Sequence, residues 1–374
     1  MEAATIFESY WLIGLVGILF LALSTTFVVT NWKLAASWWQ SSRQPALHLT
    51  VVNRQDVTDK LFTLTLAHLS FKILPSFYPG QYLTLEIPIN DKQTIKRAYS
   101  IANWETTPIS YQLGIKQEEL GKGSTWLHKH LRPGSTIKVH KPRGSFHLPH
   151  SVSGTLVFVA AGIGITPFRA MLQALIQRDS ADQTYTQVLL FYSCRHPDQL
   201  CYHAEFKEMQ AKHPFFVYVP VVTGNADIWT GTRGRIGVEA IQKHVPDLRM
   251  ATYYLCTGAA MMDNLRHNLT DHGVEPSQII TENYGVAAQP GSGRKFSVTY
   301  QGHAIEFDNH LTLFQSLEDS SVPVDGHCQS GSCGLCKCNL VEGKVSYLMK
   351  HEQRLRPDEI LPCCCVPESD LVLQ

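Results

Sequence analysis

The sequence has no excess of either charge: 32 Lys and Arg balance 32 Asp and Glu. A neutral chain has no electrostatic reason to bind nucleic acid, so no nucleic-acid partner is expected. Charge is also scarce, at 17% of residues, where ordinary soluble domains carry roughly 25%. Part of the deficit sits in one place, because Tyr10 to Thr30 (YWLIGLVGILFLALSTTFVVT) contains no charged residue. No Lys or Arg precedes that run, which argues against a cleaved secretory leader. Internal repeats and low-complexity tracts are absent as well.

What is present allows more than one core. A chain of 374 residues with 44% hydrophobic content supports two or three domains. The uncharged run is long enough to cross a bilayer as one helix, which needs roughly 20 residues. Trp11 and Trp32 stand near its ends, at headgroup depth. Acids alone precede it and Lys33 and Arg43 follow it, so the charge bias implies a single-pass membrane protein with cytoplasmic catalytic domains.

Residues 1–45 read as anchor and linker. Residues 46–150 alternate in short runs such as LFTLTLAHL and YLTLEIPI broken by Pro and Gly, the pattern of an antiparallel β-barrel. Residues 151–285 alternate apolar strands (LVFVAA, QVLLFYS, FFVYVPVV, TYYLCTG) with helix-like segments, the pattern of a parallel α/β sheet. Residues 286–295 read as a linker. Residues 296–374 form a last small unit.

That unit holds seven of the ten cysteines, between positions 328 and 365. In a reducing cytoplasm such a group is a metal site rather than a disulfide framework. Cys328, Cys333 and Cys336 have the spacing C-x4-C-x2-C, the plant-type 2Fe–2S pattern. Structural zinc usually takes short C-x2-C knuckles in pairs, and the front half of this group holds only one. A fourth thiolate must come from Cys363, Cys364 or Cys365. Cysteines beyond the four read as buried structural thiols.

Two further sites carry phosphate and ring chemistry. In RAYS, Arg97 offers a guanidinium to a flavin pyrophosphate, Tyr99 a plane to the isoalloxazine, and Ser100 a hydroxyl near flavin N5. Gly123, Ser124 and Thr125 (in GKGST) start a helical pattern whose backbone N–H groups suit a phosphate. A surface-paired strand arginine and an ordinary helix cap would look the same. Gly162, Gly164, Thr166 and Pro167 (in GIGITP) make a turn between a buried strand and a helix, shorter than G-x-G-x-x-G. Cys256 and Gly258 end another strand at the same sheet edge. Arg195 follows the second strand, where a guanidinium suits a ribose 2′-phosphate; it equally suits solvent. NAD(P)H is therefore expected, with NADPH favoured.

Taken in order over residues 46–374, RAYS, GKGST, PRGSF, GIGITP and ENYG resemble the ferredoxin–NADP reductase superfamily, followed by a domain similar to plant-type ferredoxins. The resemblance implies an antiparallel β-barrel for FAD, an α/β parallel sheet for the nicotinamide, and a β-grasp ferredoxin-like domain. It implies that Ser100 and Tyr284 stand at the hydride-transfer site. In plant-type ferredoxins the last ligand stands four residues before a proline, and Pro367 then selects Cys363. The implied function is an oxidoreductase passing electrons from NAD(P)H through FAD and the 2Fe–2S cluster to an acceptor protein. The anchor favours a membrane-bound fatty-acid desaturase or hydroxylase. A soluble hybrid-cluster or ring-hydroxylating oxygenase partner is the alternative, and a redox-sensing protein without turnover is a reading of a different class. Hydride transfer needs no general acid or base, and His140 and His147 read as surface or strand residues.

Overall fold

The computed structural model describes residues 46–119, 121–178, 185–224, 229–284, 295–308, 311–349, 351 and 353–374. The run over 10–30 expected to span a membrane lies outside them. Among the described residues no helix is long and apolar enough to cross a membrane.

Six strands build the first sheet: β1 (Leu47–Thr58), β2 (Leu61–Ala67), β3 (Tyr82–Asn90), β4 (Gln93–Ser100), β5 (Ser110–Lys116) and β6 (Thr136–Val139). Their order is β4-β3-β6-β1-β2-β5, antiparallel throughout. A bridge between Ile101 and Leu113 joins the outer strands, so the sheet closes into the expected barrel and leaves no free edge there. The cause is alternation. In LFTLTLA, Phe62, Leu64 and Leu66 point inward and are fully buried, beside Leu49, Leu83, Leu85 and Ile115. Burial of each such side chain contributes about 1.5–3 kcal/mol. Helix α1 (Lys122–His130) packs on the barrel through Leu127.

The second sheet is β7 (Gly154–Ala161), β8 (Tyr185–Cys194), β9 (Phe216–Val222), β10 (Thr232–Arg233), β11 (Ala251–Cys256) and β12 (Ile279–Thr281). All its pairings are parallel, in the order β10-β9-β8-β7-β11-β12. Covered on both faces, its central strands are continuous apolar runs. Val157 and Val159 face one core and Phe158 and Ala160 the other. The chain runs outward from β7 to β10 and then returns to β11 on the other side. That reversal opens a crevice at the strands' carboxyl ends, between β7 and β11. Helices α2 (Thr166–Gln177), α3 (His203–Lys212), α4 (Val238–Gln242) and α5 (Ala259–Asp271) connect the strands.

The third unit sets α6 (Leu313–Asp319) against a mixed sheet of β13 (Lys295–Tyr300), β14 (His303–Asp308), β15 (Cys338–Glu342), β17 (Glu359–Ile360) and β19 (Leu371–Leu373). A separate pair, β16 (Val345–Tyr347) and β18 (Cys365–Pro367), lies beside the cysteine loop. Thr312 and Gln315 form a capping box at the start of α6, and Leu313 and Leu317 pack on Val298 and Phe307.

Candidate active site

The crevice gathers residues from the barrel and from the parallel-sheet unit. β7 ends at Ala161, and Gly162 to Ile165 make a 3-10 turn leading directly into α2 with Pro167 in its first turn. Gly164 has no room for a side chain, because a Cβ there would run into the carbonyl oxygen of Cys256. The two strand ends therefore approach closely, and the register Ala160↔Cys256 fixes where they do so. Gly258 caps α5 on the far side of that approach.

Four of the residues singled out in the sequence meet here. The Tyr284 hydroxyl lies 3.1 Å from Ser100 Oγ and 3.1 Å from Thr166 Oγ1. Cys256 Sγ is 4.0 Å from Glu282 Oε2, and Ser100 donates to the same carboxylate oxygen at 3.1 Å. Glu282, the first residue of ENYG, has no site role readable from the sequence. Its place follows from register: Leu255 pairs with Thr281, and Glu282 N–H donates to Leu255 O. Burial raises the Cys256 thiol pKa well above its ordinary value, with the Glu282 charge acting the same way. Burial does the same to the Tyr284 hydroxyl, although the side chain as a whole is 46% exposed. Both groups are therefore neutral near pH 7, and the cluster presents hydroxyl and thiol groups around one carboxylate.

Ser100 ends β4 directly across from Tyr82 on β3. Tyr82 is 5% exposed, and its phenol is raised by burial first, then by the nearby Cys333 and Cys328 thiols and by Glu282.

Arg97 on β4 reaches away from that cluster. Its two terminal nitrogens donate to Glu318 on α6, at 3.2 and 2.8 Å. The fork expected to hold a flavin pyrophosphate is closed on a carboxylate of the third unit. Glu318 serves as a stand-in anion and shows that the fork accepts two oxygens at once. Lys122, at the start of α1, pairs with neighbouring Asp319, and Lys96 with Asp325. Gly123 packs over Arg97 and Ile87, and Ser124 is buried, accepting from Glu118 N–H and donating to Gly121 O. The Thr125 hydroxyl contacts Glu118 O at 3.4 Å. Tyr99 packs against the barrel core. Arg195 is exposed just past β8, and its carbonyl accepts from Gly224 N–H.

All ten cysteines are free thiols. In the third unit four of them fall into two pairs. The Cys333 N–H donates to Cys328 Sγ at 3.4 Å, as does Ser330 N–H, and the Cys333 thiol holds Cys328 below its ordinary pKa. Cys336 Sγ lies 3.3 Å from Cys363 Sγ. Among the described residues no group of three Cys, His, Asp or Glu converges as one ion would need. Two thiol pairs suit two irons, each taking two protein sulfurs, better than one tetrahedral zinc.

A flavin barrel that meets a nicotinamide sheet at the Ser100–Tyr284–Thr166 cluster and joins a 2Fe–2S domain through Arg97 and Glu318 defines an electron-transfer flavoprotein reductase. Family models match in the same order: the oxidoreductase FAD-binding domain over residues 48–148, the oxidoreductase NAD-binding domain over 158–267, and the 2Fe-2S iron-sulfur cluster binding domain over 297–368. The chain belongs to the ferredoxin–NADP reductase family, with a C-terminal 2Fe–2S domain, and is an NAD(P)H-dependent oxidoreductase using FAD and a 2Fe–2S cluster. It is 26% identical over 328 residues to the glycine betaine monooxygenase reductase subunit of Pseudomonas aeruginosa, covering 80% of this chain and 88% of that one. It is 26% identical over 337 residues to the phthalate 4,5-dioxygenase oxygenase reductase subunit of Pseudomonas putida, covering 87% and 95%. Among solved structures, phthalate dioxygenase reductase superposes with a TM-score of 0.66 at 23% identity, covering 89% of this chain and 99% of that one.

Proposed function

We propose that this protein is the reductase component of an oxygenase system, drawing electrons from NAD(P)H and delivering them singly to an oxygenase of the ring-hydroxylating or a related class. The observation that carries it is the pairing of Cys328 with Cys333 and of Cys336 with Cys363, in a chain whose barrel and parallel sheet meet through the Ser100, Tyr284 and Thr166 hydroxyls. The relatives support the choice of partner, being named as reductase subunits of a monooxygenase and a dioxygenase. Bound FAD would supply the change from a two-electron hydride donor to single-electron delivery, and a bound 2Fe–2S cluster would supply the one-electron carrier.

The residues divide that work. Gly162, Gly164, Thr166 and Pro167, with Cys256 and Gly258, shape the turn and strand ends that would hold the nicotinamide nucleotide. Ser100, Thr166 and Tyr284 share one hydrogen-bonded set that fixes ring orientation at the transfer point, where positioning dominates the rate. Arg97, with Gly123, Ser124 and Thr125 at the start of α1, would hold the flavin phosphates. Glu282 anchors Ser100 and keeps its hydroxyl directed. Cys328, Cys333, Cys336 and Cys363 would hold the cluster.

The membrane-bound desaturase or hydroxylase favoured by the anchor takes second place. It rests on the uncharged run over 10–30, and that run also supports a single-pass protein with cytoplasmic domains. Reconstitution tests the partner. The purified protein with NAD(P)H should support product formation by a purified oxygenase encoded beside its gene. Support for a membrane desaturase and for no such oxygenase would overturn the proposal.

A further inference from the structure

The segment LPCCCVP places three consecutive cysteines beside the cluster loop, and the fold separates them. Cys365 packs into the sheet core with Cys338, Val298 and Phe307. Cys363 and Cys364 pack instead with Cys336 and Phe314. They share the 3-10 turn Pro362–Cys364 and are 2% and 0% exposed. Cys363 Sγ is 3.3 Å from Cys336 Sγ and 3.5 Å from Cys364 Sγ. On its other side Cys364 faces the cluster loop. A Cβ added at Gly331, whose φ is +74°, would stand 2.7 Å from Cys364 Sγ. The Cys364 sulfur therefore lies between the loop that wraps the cluster and the sulfur assigned as fourth ligand.

A buried thiol that only filled space could sit anywhere in a core. This one touches a ligand sulfur and the ligand loop together, at a separation comparable to the step between two staggered rotamers. Resting on the reading of Cys363 as fourth ligand, we infer that Cys364 is a standby ligand that takes over the iron when Cys363 cannot hold it. In the exchange one Fe–S bond to Cys363 breaks and one to Cys364 forms. The Cys364 proton passes to the departing Cys363 sulfur, and no electron moves. Where residue 363 has no sulfur, Cys364 ligates during assembly and its proton goes to solvent.

The test uses the full chain, with iron and sulfide content per flavin, the visible spectrum and the EPR signal of the reduced protein as readouts. Cys363→Ala should retain iron and sulfide but show a shifted EPR signal. Cys364→Ala and Cys365→Ala should keep the wild-type spectrum. The double variant Cys363→Ala/Cys364→Ala should lose iron to the level of Cys333→Ser while keeping FAD, which reports folding. A Cys363→Ala protein that keeps FAD and holds no more iron than Cys333→Ser would overturn the standby role and leave Cys363 as the fourth ligand. Loss of iron in Cys364→Ala with an unaltered spectrum in Cys363→Ala would overturn the ligand reading itself. Should Cys363→Ala lose its flavin, Cys363→Ser with and without Cys364→Ala is compared instead. Loss of iron only when Cys364 is also removed supports the inference, and equal iron in the two contradicts it.

Discussion

Arg97 on the flavin barrel and Glu318 on the 2Fe–2S domain are joined by two hydrogen bonds across 221 positions of sequence. A part-buried bidentate pair of this kind is stronger than a surface contact. Because a flavin phosphate entering the Arg97 fork must displace the carboxylate, Glu318→Gln should tighten FAD binding to the deflavinated protein by roughly threefold to tenfold. A fluorescence titration reads it. Weaker binding would show that Glu318 supports the flavin site rather than competing for it.

The Tyr284 hydroxyl contacts those of Ser100 and Thr166, at the place proposed for hydride transfer. Ser100→Ala removes the link to both Tyr284 and Glu282 and should slow flavin reduction by NAD(P)H roughly 10- to 100-fold. Tyr284→Phe keeps the ring and should cost less. Stopped-flow flavin bleaching measures both, and a larger loss in Tyr284→Phe would reverse the assignment of Ser100 as the central contact.

Coenzyme choice is expected to turn on Arg195. The wild-type protein should show a higher kcat/KM with NADPH than with NADH. Arg195→Ala should lower the NADPH value about tenfold, the scale of one lost charge-assisted contact, and leave the NADH value nearly unchanged. A tenfold preference of the wild type for NADH would remove the basis for this role.

The uncharged run over 10–30 is expected to hold the full chain on membranes. Fractionation should place the full-length protein in the membrane pellet and a chain beginning at Gln44 in the supernatant. If both remain in the supernatant, the run is not an anchor.

The strand patterns, the Gly162–Pro167 turn and the Cys328–Cys336 spacing could be read from sequence because each is a local demand. A strand in a sheet alternates or is wholly apolar, a tight turn needs glycine, and a cluster needs thiolates at fixed intervals. Contacts between distant segments were not legible. Nothing local in α6 marks Glu318 as the partner of Arg97, and Glu282 reaches Ser100 only through the β11–β12 register. The three consecutive cysteines were ambiguous for the same reason. Only packing shows Cys365 turned into the sheet core while Cys363 and Cys364 face Cys336.

The central claim is that electrons leave the flavin through the cluster, and one variant divides the two centres. Cys333→Ser replaces a thiolate beside Cys328 with a poor iron ligand. The visible absorbance of the cluster should be lost while FAD stays bound. Reduction of ferricyanide, which draws on the flavin directly, should survive in large part, and cytochrome c reduction should fall at least about 10- to 100-fold. Cytochrome c reduction at the wild-type rate in a protein that has lost its cluster would contradict the relay.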